Sequence, residues 1–145
     1  MGKIMTNSRT VHYGRPDSVD TEDFRRVLVE SGLGGIRPVD DEARLAAMIS
    51  AADIIVTARL ERPDGPLVGI ARGLTDFTWS CYLSELAVSS CAQGLGIGRG
   101  LMDETRRALG PGVSLILASV PDAVSFYERI GMATLPDCFW FRREY

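Results

Sequence analysis

Apolar positions along this chain change period twice, and each change marks a different kind of element. Within Asp20–Ser31, Phe24, Val27 and Leu28 recur at i, i+3 and i+4, which predicts a helix with Thr21 as its N-cap and Gly32 as its stop. A second helix is expected from Asp40 and Asp41, whose carboxylates suit a helix N-terminus, through Leu45, Met48 and Ile49 to about Ala52. The glycine-rich connector GLGGIRP joins them. The middle of the chain turns β-like: Ile54–Leu60, Leu67–Leu74 and Tyr82–Val88 are short runs of strand formers, and ERPDGP between the first two is a strong turn signal. Helical spacing returns after Ile97 or Gly98, where Ile97, Leu101, Thr105, Ala108 and Leu109 share one side and Asp103, Glu104, Arg106 and Arg107 the other. PGVSLILAS then reads as a buried strand, Pro121–Ile130 as a short helix stopped by Gly131, and the tail CFWFRREY as a strand pair or one long strand. At the other end, Thr10–Tyr13 predicts a first strand, and residues 1–8 read as a loose leader.

Together these elements predict one mixed α/β domain over residues 1–145, with no internal repeat or linker. The 46% of hydrophobic and 24% of charged residues suit a single soluble domain. A formal charge of -3 gives no basic footprint, so nucleic acid is not an expected partner. No apolar run approaches the roughly 20 residues of a membrane span, and no secretory core is visible, so neither a membrane partner nor export is expected and the chain reads as cytoplasmic. Cys81, Cys91 and Cys138 form no CxxC pair and have only His12 as an imidazole companion, which argues against a metal site, a disulfide framework or a Cys/His nucleophile.

The densest chemical signal is AQGLGIGRG, where glycines stand at positions 94, 96, 98 and 100 just before the amphipathic helix. Such glycines let backbone approach a ligand and adopt positive φ, while the helix start directs unpaired N–H groups and its positive dipole end at the turn. That combination is a nest for an anion, and a pyrophosphate suits it. A Walker A loop is excluded because no lysine follows the glycines, and the Rossmann GxGxxG register ends on Arg99 or Leu101 rather than on glycine.

Gln93-Gly94-Leu95-Gly96-Ile97-Gly98 resembles the cofactor loop of the GNAT family of acetyl-CoA-dependent N-acetyltransferases: Arg or Gln, two residues, Gly, one residue, then Gly or Ala. Upstream, ELAVSS is similar to the family's strand ending before that loop; downstream, AVSFYERIGM is similar to its Phe-Tyr-Glu-x-x-Gly segment, with Met132 in place of the usual aromatic. Asp122 in SVPDA stands where many relatives carry Asn. The three segments, in order, cover roughly the C-terminal half. The resemblance implies a GNAT fold: a central mixed, mostly antiparallel twisted sheet of six to seven strands, about four flanking helices, and a splayed strand pair that binds CoA.

It further implies transfer of an acetyl group from acetyl-CoA, the cosubstrate, to a primary amine by direct attack in a ternary complex, without a metal. Leu86, Ala87 and Val88 would offer backbone groups to the pantetheine and the oxyanion, and Gln93, Gly94, Leu95, Gly96, Ile97, Gly98 and Arg99 would hold the pyrophosphate. Tyr127 is the candidate general acid, against a packed core tyrosine. Glu85 is the candidate base: alternation places it with Leu83 and Ala87 on one apolar face, where desolvation would raise its pKa. A solvated glutamate paired with arginine, with water as base, is the other reading of Glu85. Trp79 and Trp140 could wall the acceptor pocket, and Arg142 and Arg143 read as charges guarding an edge strand. The acceptor stays open among a small amine, an amino sugar, an aminoglycoside and a protein N-terminus. The family's habit and the aromatic tail suggest a homodimer, and a non-catalytic acyl-CoA sensor on the same scaffold is the alternative function.

Overall fold

A computed structural model describes residues 9–145, so the leader expected at residues 1–8 lies outside the described residues. The elements are β1 (Val11–Gly14), α1 (Thr21–Ser31), α2 (Glu42–Ala51), β2 (Ile54–Leu60), β3 (Leu67–Thr75), β4 (Ser80–Val88), α3 (Ile97–Leu109), β5 (Ser114–Ile116) and α4 (Val124–Arg129). The strands form one sheet in chain order, β1-β2-β3-β4-β5, antiparallel throughout except for the β4–β5 pair, which is parallel.

Local chemistry accounts for the boundaries. Asp20, not Thr21, caps α1, its carboxylate accepting the Asp23 N–H at 3.1 Å, and Gly32 closes the helix at φ 93°. Asp41 does the same for α2 by accepting the Arg44 N–H at 3.0 Å. Strand β2 is buried on both sides, which explains its continuous apolar run. Its residues Ile54, Val56, Ala58 and Leu60 join the core beneath α3, whereas Ile55 joins the core beneath α1 and α2. The sheet is thus sandwiched between α1–α2 and α3. Gly69 of β3 lets α3 settle: a Cβ there would stand 2.9 Å from Ile97 and 3.1 Å from Leu101.

Two departures from the sequence expectation matter for function. The sheet has five strands among the described residues, not six or seven, because the C-terminal tail forms no strand and lies exposed. Arg142 and Arg143 therefore guard no edge; Arg142 instead stacks over the Trp140 ring, 5.7 Å from its centroid. The second departure is a bulge in β4: opposite Arg72 and Gly73 of β3 stand Glu85 and Leu83, so Ser84 is an extra residue. The bulge breaks the expected alternation. Leu83 packs in the α3 core, while Ala87 packs in the α1–α2 core.

Candidate functional site

Strands β4 and β5 touch only at Ser80–Ser114, Cys81–Leu115 and Tyr82–Ile116; from there β4 continues to Val88 while β5 ends. Beyond Tyr82 no strand covers that edge of β4 among the described residues. The parting opens a cleft lined by Leu83, Ser84 and Leu86 on one wall and the 117–120 segment on the other, with Tyr127 and Arg37 bordering it.

Register decides which backbone groups face the opening. The Ser89 N–H donates to the Val68 carbonyl at 2.7 Å, and the pairs Val88–Gly69, Ala87–Ile70 and Leu86–Ala71 precede it. Antiparallel alternation then turns the N–H and C=O of Ala87 toward β3, and those of Leu86 and Val88 away from it. The Gln93 amide, donating to the Val88 carbonyl at 3.4 Å, confirms that direction. Leu86 and Val88 thus turn their N–H groups to the uncovered edge of β4, Leu86 within the cleft. Ala87 differs from them, with its backbone committed to β3 and its side chain in the opposite core.

The glycine loop lies just beyond the end of β4. Gly94 and Gly96 have φ of 86° and 73°, and Gly96 is the left-handed N-cap of α3. Leu95 and Ile97 turn inward to the core, leaving Gly94 and Gly96 exposed and the first N–H groups of α3 open. The other two glycines have a different reason to be there. Both Gly98 and Gly100 are helical, and an added Cβ would meet the Phe126 ring at 3.1 Å or the Tyr13 hydroxyl at 2.0 Å. Gly98 therefore lets α4 lean against the start of α3. Arg99 is exposed, 4.0 Å from Asp103.

That close approach positions Tyr127, which follows Phe126 on α4 and meets its ring edge-on with centroids 5.1 Å apart. Half-buried beside the cleft, its hydroxyl is pushed above the ordinary phenol range by burial.

Glu85 has another environment than its apolar neighbours suggested. It is 1% exposed and held between two guanidiniums. Arg72 Nε donates to Oε1, Arg37 Nε donates to Oε2 at 2.7 Å, and the Ser84 hydroxyl donates to Oε2 at 2.8 Å. Arg72 also donates to the Ser84 hydroxyl at 3.0 Å and to the Met48 carbonyl at 3.1 Å, and Arg37 to the Ser84 carbonyl at 2.7 Å. Burial pushes the carboxyl up, but the hydrogen bonds and charge of Arg72, with those of Arg37 and Ser84, outweigh it and hold Glu85 below the usual carboxylate range. The expected upward shift is therefore reversed. Sequence reasoning missed Arg37 and Arg72. An arginine inside the apolar strand LVGIARGL, facing a strand with one glutamate, was the available signal.

Neither tryptophan borders the cleft: Trp79 is 77% and Trp140 74% exposed. No helix among the described residues is long and apolar enough to cross a membrane.

Residues 40–138 match the family model described as an acetyltransferase (GNAT) domain. The chain belongs to the GNAT family. Rice (Oryza sativa subsp. japonica) serotonin N-acetyltransferase 2, chloroplastic, is 31% identical over 103 residues, 69% of this chain and 52% of that protein. The chain spans little more than half the length of the curated relatives it matches. Among solved structures, a GNAT-family acetyltransferase from Streptococcus pneumoniae TIGR4 superposes with a TM-score of 0.69 at 25% identity, covering 93% of this chain and all of that one (100%). An aminoglycoside N-acetyltransferase in complex with CoA shares the fold, with a TM-score of 0.67 at 14% identity, covering 98% and 100% of the two chains. The GNAT sheet and its flanking helices are thus the architecture into which the cleft, the glycine loop and Tyr127 are built.

Proposed function

We propose that residues 1–145 are one catalytic GNAT domain that moves an acetyl group from acetyl-CoA to the amine of a small molecule. The observation that carries this reading is the parting of β4 from β5, which leaves the Leu86 and Val88 N–H groups on an uncovered strand edge that starts in the cleft and runs toward the glycine loop following β4. The pantetheine would lie along that free edge. Its pyrophosphate would sit on the exposed Gln93–Arg99 turn, where α3 offers open N–H groups and a positive dipole end. Ile97 and Leu95 support this turn from the core, and Gly98 gives α4 its approach.

The chemistry needs few groups. A neutral amine attacks the thioester carbonyl carbon, a C–N bond forms, and the carbonyl oxygen gains charge and accepts a hydrogen bond from the Val88 or Leu86 N–H. The C–S bond then breaks, and the thiolate takes a proton from the Tyr127 hydroxyl, which water restores. A phenol carries its proton at neutral pH, and burial shifts Tyr127 further in that direction, so the hydroxyl is available as a donor. The amine's own proton leaves to water. Glu85, with both oxygens engaged by guanidiniums, is assigned a positioning role in place of the base role that its strand position suggested.

A cytoplasmic location and a homodimer formed through the aromatic tail complete the reading. The test is calorimetric titration with acetyl-CoA, with ATP and NAD as controls. Saturable binding of acetyl-CoA alone is expected; equal binding of ATP, or none of acetyl-CoA, would overturn it.

A further inference from the structure

One carboxylate serves two guanidiniums beside the cleft. Glu85 is the acidic partner of both Arg72 and Arg37, so the cluster carries one surplus positive charge. The two arginines do not share it equally. Arg72 is 6% exposed at its side chain, and each of its three nitrogens has a fixed acceptor. Arg37 is 20% exposed and borders the cleft beside Ser84. Its three nitrogens each donate once, to Glu85, Ile36 and Ser84. A guanidinium has five N–H donors, so two remain. Arg37 is also the only charged side chain bordering the cleft among the described residues.

We infer that Arg37 recognises a carboxylate on the acceptor, so that the amine acetylated here belongs to an amino acid or a molecule like one rather than to a bare alkylamine or polyamine. This rests on the acetyltransferase reading above. A guanidinium already clamped by Glu85 and the Ser84 carbonyl loses little freedom on taking up an anion, and its planar donor pair matches carboxylate geometry. The connector GLGGIRP, which delivers Arg37, becomes the segment that sets acceptor class.

The experiment compares phenylalanine with phenethylamine, and β-alanine with ethylamine, as acceptors for the full chain and for Arg37→Met and Arg37→Lys. Wild type is expected to favour the carboxylate-bearing member of each pair by roughly tenfold or more in kcat/KM, as a charged hydrogen bond implies. Arg37→Met should raise KM for the amino acids alone, and Arg37→Lys should restore part of the preference. A purely structural role would instead shift both members of each pair together, and that result overturns the inference. So does a wild-type preference for the bare amines, or transfer to neither class by protein that binds acetyl-CoA. Absence of acetyl-CoA binding in calorimetry is the separate signature of a failed acetyltransferase reading, and the inference falls with it.

Discussion

At the scale of single residues, Tyr127 and Glu85 illustrate two opposite consequences of burial. Tyr127 has no charged partner opposing desolvation, so its proton is held more tightly. Tyr127→Phe keeps the ring and removes the proton: acetyl-CoA affinity should be retained while kcat falls roughly 100-fold, the usual scale for a lost general acid. Unchanged kcat in steady-state assays would remove Tyr127 from the mechanism. Glu85 is buried too, yet two guanidiniums reverse the sign. Its carboxyl titrates lower when folded than when unfolded, so the stability it contributes is present above the ordinary carboxylate pKa and is lost as pH falls through the lower, folded value. Glu85→Gln leaves Arg72 and Arg37 facing each other without a counter-charge, at a cost of about 3 kcal/mol. Thermal unfolding near pH 7 should drop by about 8 °C in that variant, and its stability should change less than the wild type's between pH 5 and acid. Parallel pH profiles for the two proteins would show that the clamp is not what sustains this region.

Among elements, the loop and α3 separate two uses of glycine that the sequence presents as one repeat. Gly96 needs its left-handed backbone and has open space around it, so Gly96→Val strains the turn proposed to receive the pyrophosphate; acetyl-CoA affinity should fall at least about 100-fold, or about 2.8 kcal/mol, against a stability loss of about 1 kcal/mol. Equal losses in binding and stability free energy would count against the nest. Gly100 has no such conformational need, but its approach to the Tyr13 hydroxyl is close enough that Gly100→Ala must push the Tyr13 side chain away. A loss of about 1–3 kcal/mol in urea midpoints is expected, against near neutrality for Gly98→Ala, whose contact with Phe126 is only tight. Periodicity was enough to place α1, α2, β2, β3 and α3 to within a residue or two, since each has a clear apolar face or a doubly buried run. Pattern could not reveal the bulge at Ser84, which depends on the pairing of β4 with β3 and reassigns Leu83 and Ala87 to opposite faces. Likewise β5 is shorter than PGVSLILAS suggests, because pairing with β4 stops at Ile116 where the strands part. The cleft exists because of that early stop, so the part of the site least legible in the sequence is the part made by what two strands fail to do.

For the whole molecule, the unresolved tension lies between the core and the tail. Phe139, Trp140 and Tyr145 are each at least 74% exposed and Phe141 is fully so, an aromatic run of a kind soluble monomers rarely leave bare. The cation–π stack of Arg142 on Trp140 lies within the tail, and an Arg44 hydrogen bond to the Tyr145 carbonyl at 3.3 Å ties it to α2. The run CFWFRREY, expected to form a strand pair or one long strand, is rich in strand-forming aromatics, yet it has no strand neighbour among the described residues. A homodimer that buries these rings would remove apolar surface at about 25 cal/mol per Å², which makes association through the tail favourable without altering either core. Sedimentation equilibrium should therefore give a mass near twice the 15.8 kDa of the chain. Phe139→Ser combined with Trp140→Ser should return the monomer mass while acetyl-CoA binding persists, because the loop and the parted strands do not include these positions. A wild-type mass of one chain across the micromolar range would sink the dimer. Loss of acetyl-CoA binding in the double variant would instead mean that the tail supports the cleft, so the two measurements together decide whether the aromatic run serves assembly or the site.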